Sequence, residues 1–480
     1  MKKLVFSTLL LLLCVAAIAK EKTVLRGKLY HMADSVFTLS YQEYALLSPL
    51  ETKEVPVAAD GSFTCILEIK GPASVFMNFG KSPVTERFTL QKENGQDTTQ
   101  STDLNKVLSL YAYLLPGDQQ YFEVDLAKIE QSLSWKGRHR GNSIYMNEQA
   151  WRFDRYKDRV MKNYFGYTQY SPQRYSDYVN QRRENRLDFL DSCIKSMKLS
   201  NHLKHIAKQT ILGESVIAKI NYPAMRATYT NQAYEAPASY FTFMDSVVID
   251  TKDIDKGIGY LYFLDAYLKK KYQLAGVEED YFDWVQKTLN RKPLYEYCAF
   301  ALGSNFKRRL YDLFGEDCPY PDIAAAVKTK YSKLEKMLEG NPAPDVRFNN
   351  MADEEVKLTD LQGKYLYLDF WATWCGPCIE EIPSLQQLMK DYAGKNILFA
   401  SISVDKVRDK KKWKDFVAAR NMQGEQLWVD AENNKILTET FNMLQIPRFI
   451  LLDPAGKIVD ANAARPSDKR IRQLFDKVLK

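Results

Sequence analysis

Apolar and polar positions change their period twice along this chain of 480 residues. From 22 to about 140 they alternate, as in Thr23-Val-Leu-Arg-Gly-Lys-Leu-Tyr30, Ser35-Val-Phe-Thr-Leu-Ser40 and Ser62-Phe-Thr-Cys-Ile-Leu-Glu-Ile69. Ala59-Asp60-Gly61 and Pro116-Gly117-Asp118 supply turns, and Tyr121-Phe-Glu-Val-Asp125 follows the second. A period of two bounded by turn residues predicts short, half-buried strands, so 22–140 reads as an all-β domain. From about 143 to 340 apolar residues fall three and four apart, as at Leu187, Leu190, Ile194 and Met197, and at Leu261, Leu264, Tyr267 and Leu268. That spacing predicts a helical domain. Its many tyrosines and phenylalanines could line a groove, but stripes at helical spacing are read as core.

Glu339-Gly-Asn-Pro-Ala-Pro-Asp345 then reads as a linker, because glycine and proline end the helix before it. Beyond it, 343–480 alternates between strand and helix. Strands are expected at 365–371, 397–404, 426–429, 448–452 and 457–459, and helices at 377–392, 409–420, 434–442 and 467–479. Asp453-Pro-Ala-Gly456 is the turn of a hairpin. The pattern predicts a central mixed sheet covered by helices on both faces.

At the N-terminus, Lys2-Lys3, the apolar run 4–16 and Ala17-Ile-Ala19 predict a secretory signal peptide over 1–19, and the run is too short to span a bilayer. Leu13 before Cys14 argues against lipid attachment there. The mature chain is therefore expected in a periplasm or another extracytoplasmic space. The net charge of +7 falls to +5 without Lys2 and Lys3, and acids and bases are interspersed, so nothing points to nucleic acid. In the basic run Asp405–Asp415, Trp413, Phe416 and Val417 form the apolar face of a helix and the lysines its solvated side.

Of the cysteines left after cleavage, Cys65 and Cys193 sit at core positions of a strand and a helix. Cys298 and Cys318 are the one pair for which a structural bridge is worth testing. His202 and His205 share a helix face but lack the companions of a metal site, and are read as surface or capping residues. Cys375-Gly376-Pro377-Cys378 is different in kind. It directly follows the apolar run 365–371, where a strand ends and a helix begins. Unpaired N–H groups and the positive end of the helix favour a thiolate at Cys375. Cys378, one turn on, can resolve the mixed disulfide that such a thiolate forms. A structural disulfide or half of a zinc site are the alternatives, but no second pair of ligands accompanies this one. Glu381, one turn beyond Cys378, is a candidate for moving its proton.

The stretch Asp369-Phe-Trp-Ala-x-Trp374-Cys375-Gly-Pro-Cys378, with Pro383 and Pro447, resembles thioredoxins. The segment Leu358-Thr-Asp-Leu-Gln-Gly363-Lys364 and Glu381 resemble the extracytoplasmic TlpA/ResA branch. The resemblance implies an α/β thioredoxin fold for 343–480 and disulfide reductase chemistry, with Cys375 and Cys378 catalytic and Asp369 and Glu381 in proton transfer. It implies a substrate groove of Trp371, Trp374, Gly376, Pro377, Ile446 and a cis Pro447, whose neighbouring backbone pairs with an extended client. Arg448, next along, either selects acidic clients or is simply solvated. The Gly-Pro between the cysteines is similar to that of reductants. The implied partners are disulfide-containing exported proteins and a membrane electron donor, with cytochrome c maturation one outlet. No cofactor or metal is expected beyond the redox-active disulfide. The strand order of 22–140 resembles the β-sandwich module fused ahead of thioredoxin-like domains in Bacteroidetes proteins. The competing readings are a thiol peroxidase, or a protein- or glycan-binding envelope protein with an accessory redox domain.

Overall fold

In a computed structural model, the structure describes residues 21–91, 97–153, 170–249, 258–303, 307–441, 443 and 446–479. The expected signal peptide 1–19, with Cys14, and Asn442 at the end of one expected helix lie outside them. Among the described residues no helix is long and apolar enough to cross a membrane. The chain divides into two compact units, Met1–Leu289 and Asn290–Lys480.

Among the described residues the first unit opens with eight strands: β1 Glu21–Tyr30, β2 Val36–Glu43, β3 Glu51–Pro56, β4 Ser62–Ile69, β5 Ala73–Gln91, β6 Asp97–Leu114, β7 Gln119–Asp125 and β8 Ser134–Gly137. They form two four-stranded sheets, ordered β4-β1-β7-β8 and β3-β2-β5-β6. Alternation decides which side chains go inside. Phe63, Cys65, Leu67 and Ile69 of β4 and Phe37, Leu39 and Tyr41 of β2 enter one hydrophobic cluster. Burial pushes the Cys65 thiol up, as expected of a core thiol. Gly61 closes the turn before β4 with φ +83°, and a Cβ there would lie 2.1 Å from the Leu29 carbonyl oxygen.

Helices follow, among them Pro172–Met197 and Asn201–Thr230, with Ser171 and Ser200 as hydrogen-bonding N-caps. Leu190 and Cys193 of the first meet Leu203, Ala207 and Ile211 of the second in one cluster. Several tyrosines also go inward, as core aromatics do: Tyr170, Tyr175 and Tyr222 are buried together with Val179. His202 corrects the surface reading. Its Nδ1 shares a hydrogen bond with the Tyr113 hydroxyl, and its ring lies 5.4 Å from that of Tyr44. Ser200, and not a histidine, caps this helix.

The second unit starts inside the region expected as one helical domain over 143–340. Cys298 is buried in the helix Arg291–Ala301 and Cys318 is half-buried after it, and both are free, so the bridge tested for is absent. The expected linker is also fastened down. The Gly340 and Ala343 N–H groups donate to the carbonyls of Ile458 and Gly456 at 2.8 and 2.9 Å, and Ile458 N–H donates to Asn341 at 2.9 Å. Glycine and proline stop the preceding helix, but they leave these neighbours free to pair with a strand edge.

Seven strands follow: β9 Arg347–Asn350, β10 Glu355–Lys357, β11 Tyr365–Trp371, β12 Ile397–Ser403, β13 Glu425–Trp428, β14 Arg448–Leu452 and β15 Ile458–Asp460. Their order is β10-β9-β13-β12-β11-β14-β15, with β11, β12 and β13 parallel and the other pairs antiparallel. Central β11 is buried on both faces. Leu366, Leu368 and Phe370 pack with Leu437 of the helix Ala431–Thr440. Tyr367 packs on the other side with Leu385 and Leu388 of the helix Gly376–Asp391 and with Ile471 and Phe475 of the helix Lys469–Val478. By strand alternation Asp369 shares the face of Tyr367, beneath the helix that carries the cysteines.

Candidate active site at the head of the cysteine helix

β11 ends at Trp371, and the turn that follows closes with a hydrogen bond from Cys375 N–H to the Ala372 carbonyl at 3.0 Å. The helix Gly376–Asp391 begins next, with Pro377 in its first turn, where no N–H is needed. Cys375 is the N-cap residue, and its Sγ accepts from the Cys378 N–H at 3.3 Å. A sulfur in that position receives the unpaired N–H groups and the positive end of the helix dipole, which favour a thiolate once the bond to Cys378 opens. The two cysteines are joined, S–S 2.02 Å and Cα–Cα 5.3 Å, so the pair is in its oxidised form. Both are largely buried, while Gly376, Pro377 and Trp374 are exposed, Trp374 by 63%.

The peptide Ile446–Pro447 is cis and leads directly into β14. β14 pairs with β11 so that Arg448 lies opposite Phe370, which brings Pro447 to the end of the sheet where the cysteines sit. Ile446 packs on the cluster that contains Cys375, Cys378 and Trp371. Trp371 is 1% exposed, against Phe416 with ring centroids 5.4 Å apart, so it supports the site from within and does not line a groove. β11 is covered on both faces, and Trp371 follows its strand inward. Arg448 corrects the reading of it as simply solvated. Its Nε and Nη2 donate to the Ala461 carbonyl at 3.1 and 2.8 Å, and burial lowers its pKa.

The two candidate acids are held differently. Asp369 is buried and accepts one hydrogen bond, from Ser401 Oγ at 3.3 Å. Burial raises its pKa from 3.8 to about 7; the Ser401 bond opposes the rise and the nearby Glu381 charge adds to it. Glu381 accepts from Ser467 N–H at 3.0 Å and Ser467 Oγ–H at 2.8 Å, with Arg465 3.8 Å away.

One part of the site was missed in the sequence. Asp405, just past β12, is buried and accepts from the Thr373 N–H at 2.9 Å and the Thr373 hydroxyl at 2.8 Å. The signal that could have found it is position, since sites in α/β sheets lie beyond the carboxyl ends of adjacent parallel strands. The rest of the basic run behaves as a helix surface. Trp413 is buried, Lys410 and Lys414 pair with Asp353 at 2.8 Å, and Lys411 pairs with Asp415 at 2.7 Å. Among the described residues no group of three or more histidines, cysteines and acids could hold a metal.

A capped sulfur, a second sulfur one turn away and a buried acid that titrates near neutrality can together carry thiol–disulfide exchange. Comparison with known proteins agrees. Residues 340–461 match the AhpC/TSA family. The chain is 31% identical over 147 residues to the thioredoxin-like protein YneN of Bacillus subtilis, covering 30% of this chain and 84% of that one. It is 25% identical over 148 residues to the thiol-disulfide oxidoreductase ResA of Bacillus cereus, covering 31% and 83%. Among solved structures, the thioredoxin domain of a thiol-disulfide oxidoreductase from Bacteroides vulgatus is 26% identical, with TM-score 0.27, covering 30% of this chain and 98% of that one. Through its second unit the chain belongs to the thioredoxin-like thiol–disulfide oxidoreductases.

Proposed function

We propose that this oxidoreductase works in the periplasm or another extracytoplasmic space and reduces disulfides of exported proteins. The Cys375 thiolate attacks one sulfur of the client disulfide; that S–S bond breaks, and the client's other sulfur leaves as a thiolate. Cys378 then gives its proton to Asp369 and attacks Cys375 Sγ, which frees the second client thiolate and leaves the Cys375–Cys378 disulfide. Two electrons pass from the dithiol to the client. Asp369 is preferred to Glu381 as proton acceptor because both Glu381 oxygens are engaged by Ser467, whereas Asp369 has one long hydrogen bond.

The disulfide is the working redox group, and a membrane electron donor returns it to the dithiol. Trp374, Gly376, Pro377, Ile446 and Pro447 form the client-facing rim. Exported proteins awaiting disulfide reduction, including those of cytochrome c maturation, are the client class. The two sheets of residues 22–140 are read as a β-sandwich-like module that accompanies the reductase. The peroxidase alternative is not favoured, since Phe370-Trp-Ala-Thr-Trp-Cys375 lacks the Pro-x-x-x-Thr-x-x-Cys setting of that chemistry.

The observation that carries this reading is the Cys375 sulfur at the helix N-cap, accepting from Cys378 N–H. Cys378→Ser tests it, because a mixed disulfide at Cys375 then has no resolving thiol. Expressed with its exported proteome, this variant is expected to accumulate adducts that dithiothreitol releases, and the double variant with Cys375→Ser none. Equal adducts in both would remove Cys375 as the attacking sulfur.

A further inference from the structure

We propose that Asp405 is a positioning residue for thiol–disulfide exchange: by gripping Thr373 it fixes the turn that presents Cys375 at the mouth of the helix. The proposal rests on the reading of Cys375 as the attacking sulfur.

Asp405 lies just past the end of β12 and is tied in from several directions. Its Oδ2 accepts from Thr373 N–H at 2.9 Å and from Ser403 Oγ at 2.8 Å, and its Oδ1 accepts from Thr373 Oγ1 at 2.8 Å. Its own N–H donates to Ser403 Oγ at 3.1 Å, and its carbonyl accepts from Trp428 Nε1 at 2.9 Å. The carboxylate is therefore anchored to β12 through Ser403, and the Asp405 backbone to β13 through Trp428. Asp405, Thr373 and Ser403 are all buried, so these bonds do not compete with water.

The turn itself has little else to define it. Between Ala372, which is buried, and Cys375 stand Thr373, gripped by Asp405, and Trp374, which points outward. Apart from the Asp405 bonds, the turn closes through Cys375 N–H to the Ala372 carbonyl. Releasing Thr373 would leave the residues leading into the N-cap free to shift. A displacement of about 1 Å at a reacting group can cost on the order of a hundredfold in rate.

Geometry and charge act in opposite senses here. The grip places the sulfur, while a nearby carboxylate charge disfavours a thiolate. Asp405→Asn separates the two effects: its carbonyl can accept from Thr373 N–H and its amide can donate to Thr373 Oγ1, so the grip survives without the charge. Thr373→Val keeps the charge and removes the hydroxyl, and Thr373→Ser keeps both.

The experiment uses the full chain in a Cys378→Ser background and the aromatic disulfide reagent dithiobis-nitrobenzoate. Each attack joins Cys375 to one half of the reagent and releases the other half as a coloured thiolate. The Cys375→Ser, Cys378→Ser protein is the blank for the remaining cysteines. All rates are taken well below each variant's melting temperature. Thr373→Val and Asp405→Ala are expected to slow the attack about tenfold, and Thr373→Ser and Asp405→Asn to stay within about twofold of the parent. Thr373→Val reacting at the parent's rate would overturn the proposal, even if its melting temperature falls. Asp405→Asn as slow as Asp405→Ala would overturn it too, because a retained grip would then fail to sustain the rate although the opposing charge is gone. Should Asp405→Ala fail to fold, Thr373→Val decides. A parent no faster than the blank refutes the reading of Cys375 itself, before either position is substituted.

Discussion

Asp369 on β11 and Ser401 on β12 face each other in register across a parallel pair, and the serine hydroxyl donates to the carboxylate at 3.3 Å. Both residues are buried. A charged carboxylate there has lost its hydration and received one long hydrogen bond in exchange, so burial prevails and the acid titrates at about 7. Glu381, on the helix Gly376–Asp391 that carries the cysteines, is served by two donors of Ser467. Two acids near one cysteine pair are thus prepared for different tasks.

Asp369→Asn is expected to slow the resolving step on the order of a hundredfold and to leave the first attack within about threefold. Only the second step requires a proton to leave Cys378. In the wild type that step should quicken as pH rises through about 7, where Asp369 becomes able to accept a proton. In the variant this inflection should vanish. Stopped-flow tryptophan fluorescence with a client disulfide separates the steps, and equal slowing of both would take Asp369 out of this role.

The same acid makes stability depend on pH. Its folded value, about 7, lies above the ordinary 3.8, so between these two pH values the native state holds a proton that the unfolded state has released. Stability of the oxidised protein therefore falls as pH rises from about 4 to about 7 and levels off above that. At about 1.4 kcal/mol per pH unit the loss amounts to at most about 4 kcal/mol. Asp369→Asn should match the wild type near pH 4 and exceed it near pH 8 in urea unfolding. A variant no more stable than wild type at pH 8 would show that the buried carboxylate carries no such penalty.

What was legible in the sequence was what local pattern encodes. The Cys375–Cys378 pair stands where an apolar run meets a helix start, and the β11 and β14 boundaries follow from continuous apolar runs. Asp369 was legible through the resemblance to thioredoxins, which implies a buried acid on the central strand beneath the cysteine helix. β9 and β10 escaped notice, since Arg347–Asn350 and Glu355–Lys357 are short, largely polar edge strands held by pairing more than by burial. The long β5–β6 hairpin was also missed, its polar stretch 97–106 giving no apolar alternation. Trp371 was misplaced because a strand buried on both faces has no polar side from which to orient it. The Thr373–Asp405 contact joins residues 32 apart through side chains, and no local period reports it.

Arg448 offers a last test, because its two possible roles predict opposite results. If its guanidinium serves the fold, Arg448→Met should lower stability by about 1–3 kcal/mol, since a charged donor to a shielded carbonyl contributes on that order and methionine keeps only the apolar stem. The Ala461 carbonyl, two residues before buried Ala463, would lose both donors. KM for acidic and for neutral disulfide-linked peptides should then stay within about twofold, because an arginine turned toward Ala461 has little left to offer a client. Urea unfolding and steady-state peptide reduction on the same preparation decide between the roles. Unchanged stability together with a severalfold rise in KM for the acidic peptide alone would assign Arg448 to client selection.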